Sequence, residues 1–366
     1  MKKKGSMLWY ILVGVLVLAL VVIVGIAVTK GDKNPNPSAT GNAPVIDSSG
    51  DHSNEIGNSN GKDENEKIPP KAEEGTELFV MFGVDSRTGS LGKGTRSDSL
   101  MLIQVNHDLR QVKVVSIYRD CMVYQEGKGY KKITEAHSYG GPEYALDVIN
   151  QNFDFNIENF CTLNFNAVGD LIDMVGGVEM EITADEVNTL NSYIKETNAV
   201  RGTSSEYINE PGVYLLDGTQ AVSYSRIRYT VGYDFKRTER QRNVLFKVFE
   251  KTKAMTTEER LQIVDTMLAE INTNYSQDEL LVIMYYLSEY EITTMTAYPK
   301  VFYGGSVEGN WVEVPVTLID MNTELHEILL GETDYVPSDK VVEISDAMSN
   351  KVSGPNVDQR DDKDGE

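Results

Sequence analysis

Residues 225–242, SRIRYTVGYDFKRTERQR, carry six basic side chains (Arg226, Arg228, Lys236, Arg237, Arg240 and Arg242), opposed only by Asp234 and Glu239. If a helix ends near Ser225 and the chain then extends, the guanidinium groups of Arg226 and Arg228 face the same side. Arg237, Arg240 and Gln241 fall at i, i+3 and i+4, one face of the helix predicted to follow, and Asp234 stands just ahead of it. Arginine forks converging at a helix start suit a phosphate or pyrophosphate, because each fork can grip an anion through two charge-assisted hydrogen bonds. The competing reading is an exposed basic face paired with acidic surroundings.

Three shorter motifs favour the anion site. GVDSR places Asp85, Ser86 and Arg87 at the end of a predicted first strand, RSDSL places Arg96, Asp98 and Ser99 at the start of a second, and SIYRD places Arg119 and Asp120 at the end of a third. Strand ends of open α/β sheets are where ligands bind. Asp85 and Asp98 could share a hard cation, Mg2+ or alternatively Mn2+, since Mg2+ is commonly held by one or two carboxylates plus substrate phosphates. Arginines, carboxylates and such an ion give phosphoryl transfer its charge neutralisation, clamp and in-line positioning. Neither a P-loop nor GxGxxG occurs, so ATP use is not expected.

The elements that must position these residues are legible as alternating patterns. Leu78 to Phe82, residues 98–106 and residues 111–120 read as strands. Residues 140–154 read as a helix with Pro142 near its start. A strand near 160–165, a helix over 166–175 and a strand within 176–183 follow. Helices are predicted over 184–197, 217–227 and 237–255 and near 257–272 and 277–289, then strands over 295–302 and 311–318. The expectation is an α/β sandwich with a mixed central sheet. Residues 338–366 form a polar tail expected to lack order.

Formal charge is −22 with a sequence pI near 4.6, which argues against a nucleic-acid partner. Lys2, Lys3 and Lys4 (within residues 1–6) precede the uncharged run 7–28, long enough for one transmembrane helix, with the N-terminus cytoplasmic and the bulk of the chain outside the cell. Residues 31–75 contain no Phe, Trp or Tyr and read as a disordered extracellular tether. Outside the cytoplasm, Cys121 and Cys161 fit either a disulfide or two buried thiols. His52, His107, His137 and His326 show no metal-ligand spacing.

GVDSR, RSDSL, SIYRD, KITEAHSYGG, DMVGGVEMEI and LDGTQAVSYSRIRYTVGYDFKRTERQR occur in the order seen in the LytR-CpsA-Psr family, which this chain resembles from about Glu77 to at least residue 255 and more loosely to about 337. The resemblance implies an α–β–α sandwich catalytic domain over residues 76–337, with a long apolar pocket for a lipid tail between sheet and helices. It implies a phosphotransferase of Gram-positive envelopes that moves a glycopolymer (teichoic acid or capsule) from undecaprenyl pyrophosphate to peptidoglycan through a phosphodiester. Carried over by motif, Asp85 and Asp98 would hold Mg2+, Arg96, Arg119, Arg226, Arg228 and Arg237 would clamp the pyrophosphate with Gln241 beside them, and Asp234 would lie near the transferred phosphate. Arg87 and Arg240, from the same motifs, complete the expected substrate-binding set. Tyr118 stands where the family commonly has Pro, and Val231 or Gly232 where many members are acidic. The rival functions are a lipid pyrophosphatase and a non-catalytic envelope regulator or binding module.

Overall fold

The computed structural model describes residues 75–86, 89–228, 233–267, 270–307, 309–351 and 357–359. The predicted membrane span and tether, and Arg87, lie outside the described residues. Among those described, no helix is long and apolar enough to cross a membrane.

The chain begins with β1 (Thr76–Val84), β2 (Ser97–Asn106) and β3 (Gln111–Ile117), then a hairpin of β4 (Met122–Gln125) and β5 (Gly129–Lys132). Helix α1 (Ile133–Phe153) leads to β6 (Asn159–Asn164), α2 (Phe165–Met174), β7 (Val178–Ile182), α3 (Val187–Arg201), β8 (Gly212–Leu216) and α4 (Gly218–Ser225). After α5 (Tyr233–Ala254) and α6 (Thr257–Met267) come β9 (Ile271–Thr273), α7 (Gln277–Tyr286), β10 (Glu291–Tyr298), β11 (Val301–Val307) and β12 (Asn310–Pro315). Helices α8 (Leu318–Leu330) and α9 (Asp339–Ser349) and strand β13 (Val357–Gln359) close the fold.

Six strands form the central sheet in the order β10-β3-β2-β1-β6-β9. It is mixed: β1 and β2, β2 and β3, and β6 and β9 run antiparallel, while β1 with β6 and β3 with β10 run parallel. Phe79, Val80, Met81 and Phe82 are all buried although successive side chains point to opposite faces, so β1 is covered on both sides. The α1 helix packs on β2 and β6.

Helix α1 contains a break: Gly141 sits at φ 84°, ψ −170°, and Pro142 opens the second segment. The positive φ suits glycine. The predicted helix over 140–154 is therefore that second segment, and KITEAHSY forms an additional one before it. Helix α4 approaches α2 closely because position 218 has no side chain; a Cβ there would stand 1.9 Å from the Gly169 carbonyl oxygen. Asp217 and Gln220 cap α4 reciprocally, and Arg201 on α3 reaches Asp170 (2.6 Å) and Asp173 (3.0 Å) on α2. These ties fix the start of α4, about two turns before Arg226.

Two expectations are corrected. The tail is not without order, because residues 339–349 form α9, capped by Ser338 and burying Val341, Ile344 and Met348 on one face. A polar composition concealed that stripe. The strand over 311–318 stops at Pro315, and Thr317 caps α8 by accepting from the Asp320 N–H at 2.8 Å. Cys121 and Cys161 are both free and buried, and burial pushes both thiols well above the usual range.

Candidate active site

Because β1 and β6 run up the sheet and β2 runs down between β1 and β3, three predicted motifs and the start of α2 reach the same edge. Asp85 follows β1, Arg96 and Asp98 flank the start of β2, Arg119 follows β3, and Phe165 follows β6. Here they line a cleft of about 600 Å³. The α4 helix ends at Ser225, its chain turns at Arg226 (φ −96°, ψ −9°), and Arg226 and Arg228 both enter the cleft. Arg237 and Gln241, one turn apart on α5, close it. Five guanidinium groups therefore face two lining carboxylates, an anion-seeking balance within an acidic chain.

Asp98 organises the arginines. Arg119 Nη1 meets its Oδ1 at 2.8 Å, Arg228 Nη2 meets Oδ2 at 3.2 Å, and Arg237 Nη2 donates to its main-chain carbonyl at 3.4 Å. Arg226 donates to Thr197 Oγ1 (3.0 Å) and Glu196 (3.1 Å), with Phe165 and Tyr193 ring centroids 5.2 and 4.9 Å from its guanidinium. Arg96 is the most exposed arm of the group, its side chain 58% exposed and 3.8 Å from Glu135. Asp120 points away and holds Lys132 at 2.7 Å. Tyr118 is buried, stacks edge-on against Phe235 of α5, and donates its N–H to the Tyr298 carbonyl at 2.8 Å, a bond proline could not make.

Arg240 departs from expectation. It is absent from the cleft lining and instead lies buried, with Nε and Nη2 both 2.8 Å from Glu186 Oε1 and Nη1 donating to the Ile227 carbonyl at 3.2 Å. Asp234 falls in the first turn of α5, and its side chain lies outside the described residues. The structure adds Phe165, Tyr193, Thr95 and Ser138 to the lining. Tyr193 was visible only as part of a predicted helix, and no local pattern marks it as an arginine platform.

Among the described residues no group of three or more His, Cys, Asp or Glu side chains could hold a metal ion. What the cleft offers is Asp85, exposed and without an ion pair among the described residues, together with Asp98. That donor set fits a hard cation completed by phosphate oxygens and water, not an all-protein cage. Val244, Leu245, Val248 and Phe249 of α5, Ile263 and Met267 of α6 and Leu280 of α7 belong to the buried core shared with the sheet.

His137, behind the cleft wall, bonds through Nδ1 to the Thr95 carbonyl (2.9 Å), which can only accept, and packs against Phe82. Burial holds its pKa below the ordinary 6.5. The unfolded chain therefore takes up this proton first, so stability is full above pH 6.5 and falls as pH drops towards the native value. Thermal unfolding of His137→Gln should show a shallower loss of midpoint below pH 6.5 than the unaltered chain. Equal slopes would remove this group from the acid response.

An α/β domain with a guanidinium-lined cleft at its strand ends is built to hold an anion such as a phosphate. The LytR_cpsA_psr family model matches residues 45–323, and the chain belongs to that family. It is 30% identical over 200 residues to the polyisoprenyl-teichoic acid–peptidoglycan teichoic acid transferase TagT of Bacillus subtilis, covering 54% of this chain and 59% of that one. It is 27% identical over 243 residues to TagU of Oceanobacillus iheyensis, a transferase of the same name, covering 64% and 69%. The match thus spans about three-fifths of the length of the first curated relatives. Among solved structures, TagT bound to LIIa-WTA aligns with TM-score 0.56 at 24% identity over 73% of this chain and 94% of that one. TagT with bound octaprenyl pyrophosphate lipid aligns with TM-score 0.52 at 22% identity over 73% and 94%. These alignments establish a shared fold.

Proposed function

We propose that this chain is a membrane-anchored phosphotransferase that moves a glycopolymer from an undecaprenyl-pyrophosphate carrier to peptidoglycan outside the cell. The observation that carries the reading is the convergence of Arg96, Arg119, Arg226, Arg228 and Arg237 on one cleft beside Asp85 and Asp98. The transferase names of the relatives and the pyrophosphate lipid in the TagT structure support it. A peptidoglycan hydroxyl oxygen attacks the phosphorus that bears the glycan, forming the phosphodiester. The P–O bond to the polyprenyl phosphate breaks, and that phosphate leaves with the electron pair. The hydroxyl proton passes to solvent. The arginines disperse the charge that builds on the leaving phosphate.

Asp85 and Asp98 would hold Mg2+ or Mn2+, which when bound supplies further charge neutralisation of the pyrophosphate. Turnover should therefore stop in excess EDTA and return on adding Mg2+, while full activity in EDTA would end the metal role. The transfer itself is tested with donor labelled in its glycan. Label fixed to peptidoglycan, with one polyprenyl monophosphate released per glycan, is expected. Monophosphate release with all label left in solution would indicate the pyrophosphatase instead.

A further inference from the structure

Among the arginines of the cleft, Arg119, Arg228 and Arg237 gather on Asp98, whereas Arg226 is held by α3. Tyr193, Glu196 and Thr197 stand at i, i+3 and i+4, one face of that helix. Arg226 Nη1 donates to Thr197 Oγ1 at 3.0 Å and Nη2 to Glu196 Oε2 at 3.1 Å, so both prongs of the fork are tied. Its Cζ lies 4.9 Å from the Tyr193 ring centroid and 5.2 Å from that of Phe165, the first residue of α2. The holder is itself fixed. Leu190 and Ile194 are buried along α3, and Arg201 at its end bonds to Asp170 and Asp173 of α2. The Arg226 side chain is accordingly 15% exposed although it lines the open cleft, against 35% for Arg228.

An arginine free to turn loses rotamer freedom when it grips an anion, and that loss weakens binding. Holding the fork beforehand removes the cost and sets the direction of its remaining N–H groups. Tyr193 does this with a ring that lines the cleft, while Glu196 stands outside the main cleft's lining. The Glu196 carboxylate has two opposed effects on a phosphate bound at Arg226. Its charge repels the ligand, and its hydrogen bond aims the guanidinium. We propose that Tyr193 and Glu196 are positioning residues that act on the donor pyrophosphate through Arg226. The inference rests on the pyrophosphate clamp of the transferase reading and adds the helix that aims one of its arms.

The test titrates the full chain with farnesyl pyrophosphate and follows glycan transfer from lipid-linked donor in parallel. Tyr193→Leu, apolar but without a ring, should raise the Kd about tenfold, within the range of a partly desolvated cation–ring contact. Tyr193→Phe restores the ring and should recover most of that loss. Glu196→Gln keeps the shape and removes the charge. Positioning predicts a Kd raised about threefold or more, whereas a cleft that only sums charge would bind the diphosphate more tightly. Arg226→Ala supplies the decisive background. With the guanidinium gone, adding Tyr193→Leu should change the Kd by less than about twofold, and adding Glu196→Gln should not weaken it. Thermal melts check folding, and if Tyr193→Leu does not fold, the isosteric Glu196→Gln carries the same cycle. Losses that persist in the Arg226→Ala background, tighter binding by Glu196→Gln, or an unaltered Kd in either single variant overturns the inference. Coupled losses in Kd without glycan transfer by the unaltered chain uphold the positioning and overturn the transferase reading instead.

Discussion

Replacing Arg119 with alanine is expected to lower glycopolymer transfer by about 10³–10⁵-fold, the range spanned by a single well-placed arginine at a phosphoryl-transfer site. Arg119 follows a central strand, lines the cleft, and is the nearer of the two guanidinium groups on the Asp98 carboxylate, at 2.8 Å against 3.2 Å for Arg228. Its removal takes one positive charge and a two-pronged donor from the cleft that the proposed transfer uses to disperse charge on the leaving phosphate. The fold should survive, because Asp98 keeps Arg228 and faces the open cleft, where water can replace the lost partner. Initial rates with lipid-linked donor, alongside a thermal melt, separate the two effects. Arg119→Lys restores charge without the fork and should recover only part of the rate. Wild-type turnover by a folded Arg119→Ala protein would remove this residue from the clamp.

Arg240→Ala should act differently, lowering stability by about 3–5 kcal/mol, the cost of leaving a buried ion without its partner. Both side chains of the Arg240–Glu186 pair are 7% exposed. Glu186 Oε2 also accepts from the Thr183 N–H at 2.9 Å, so the carboxylate cannot turn outward without breaking the start of α3. The neighbouring Tyr224 hydroxyl has its pKa pushed up to about 12, first by burial and then by the Glu186 charge. Denaturant unfolding should show the loss directly, with activity falling only as the folded fraction falls. Replacing both partners, Arg240→Met with Glu186→Leu, should recover much of it, since a buried pair exchanged for packed apolar groups is often neutral. An unchanged unfolding midpoint with transfer abolished would return Arg240 to the substrate.

The contrast between Arg237 and Arg240 shows what a sequence can and cannot convey. At about 100° per residue, Gln241 lies roughly 40° from Arg237 on the helix, while Arg240 lies about 60° the other way. The i, i+3, i+4 spacing puts all three on one broad face, and nothing local says where the cleft ends across it. Arg240 is claimed by Glu186, 54 positions earlier in the chain, and such a partner has no trace in spacing. Asp85, Asp98 and Arg119 were legible for a different reason. Each follows or opens an apolar run that can only be a buried strand, so its charge must emerge at a strand end. Arg226 and Arg228 were legible once α4 was expected to stop near Ser225. The apolar face of α9 was hidden by its polar composition, and the Phe165–Tyr193 platform joins two helices that no motif links.

The central claim is that separate arginines form one grip for a pyrophosphate. It is tested most directly by titrating the full chain with farnesyl pyrophosphate and, separately, farnesyl monophosphate, then repeating both with Arg119→Ala and Arg228→Ala. Preference for the diphosphate by at least about tenfold, lost in each variant, is the predicted result. Equal affinity for the two lipids, or a preference that persists in both variants, would contradict it.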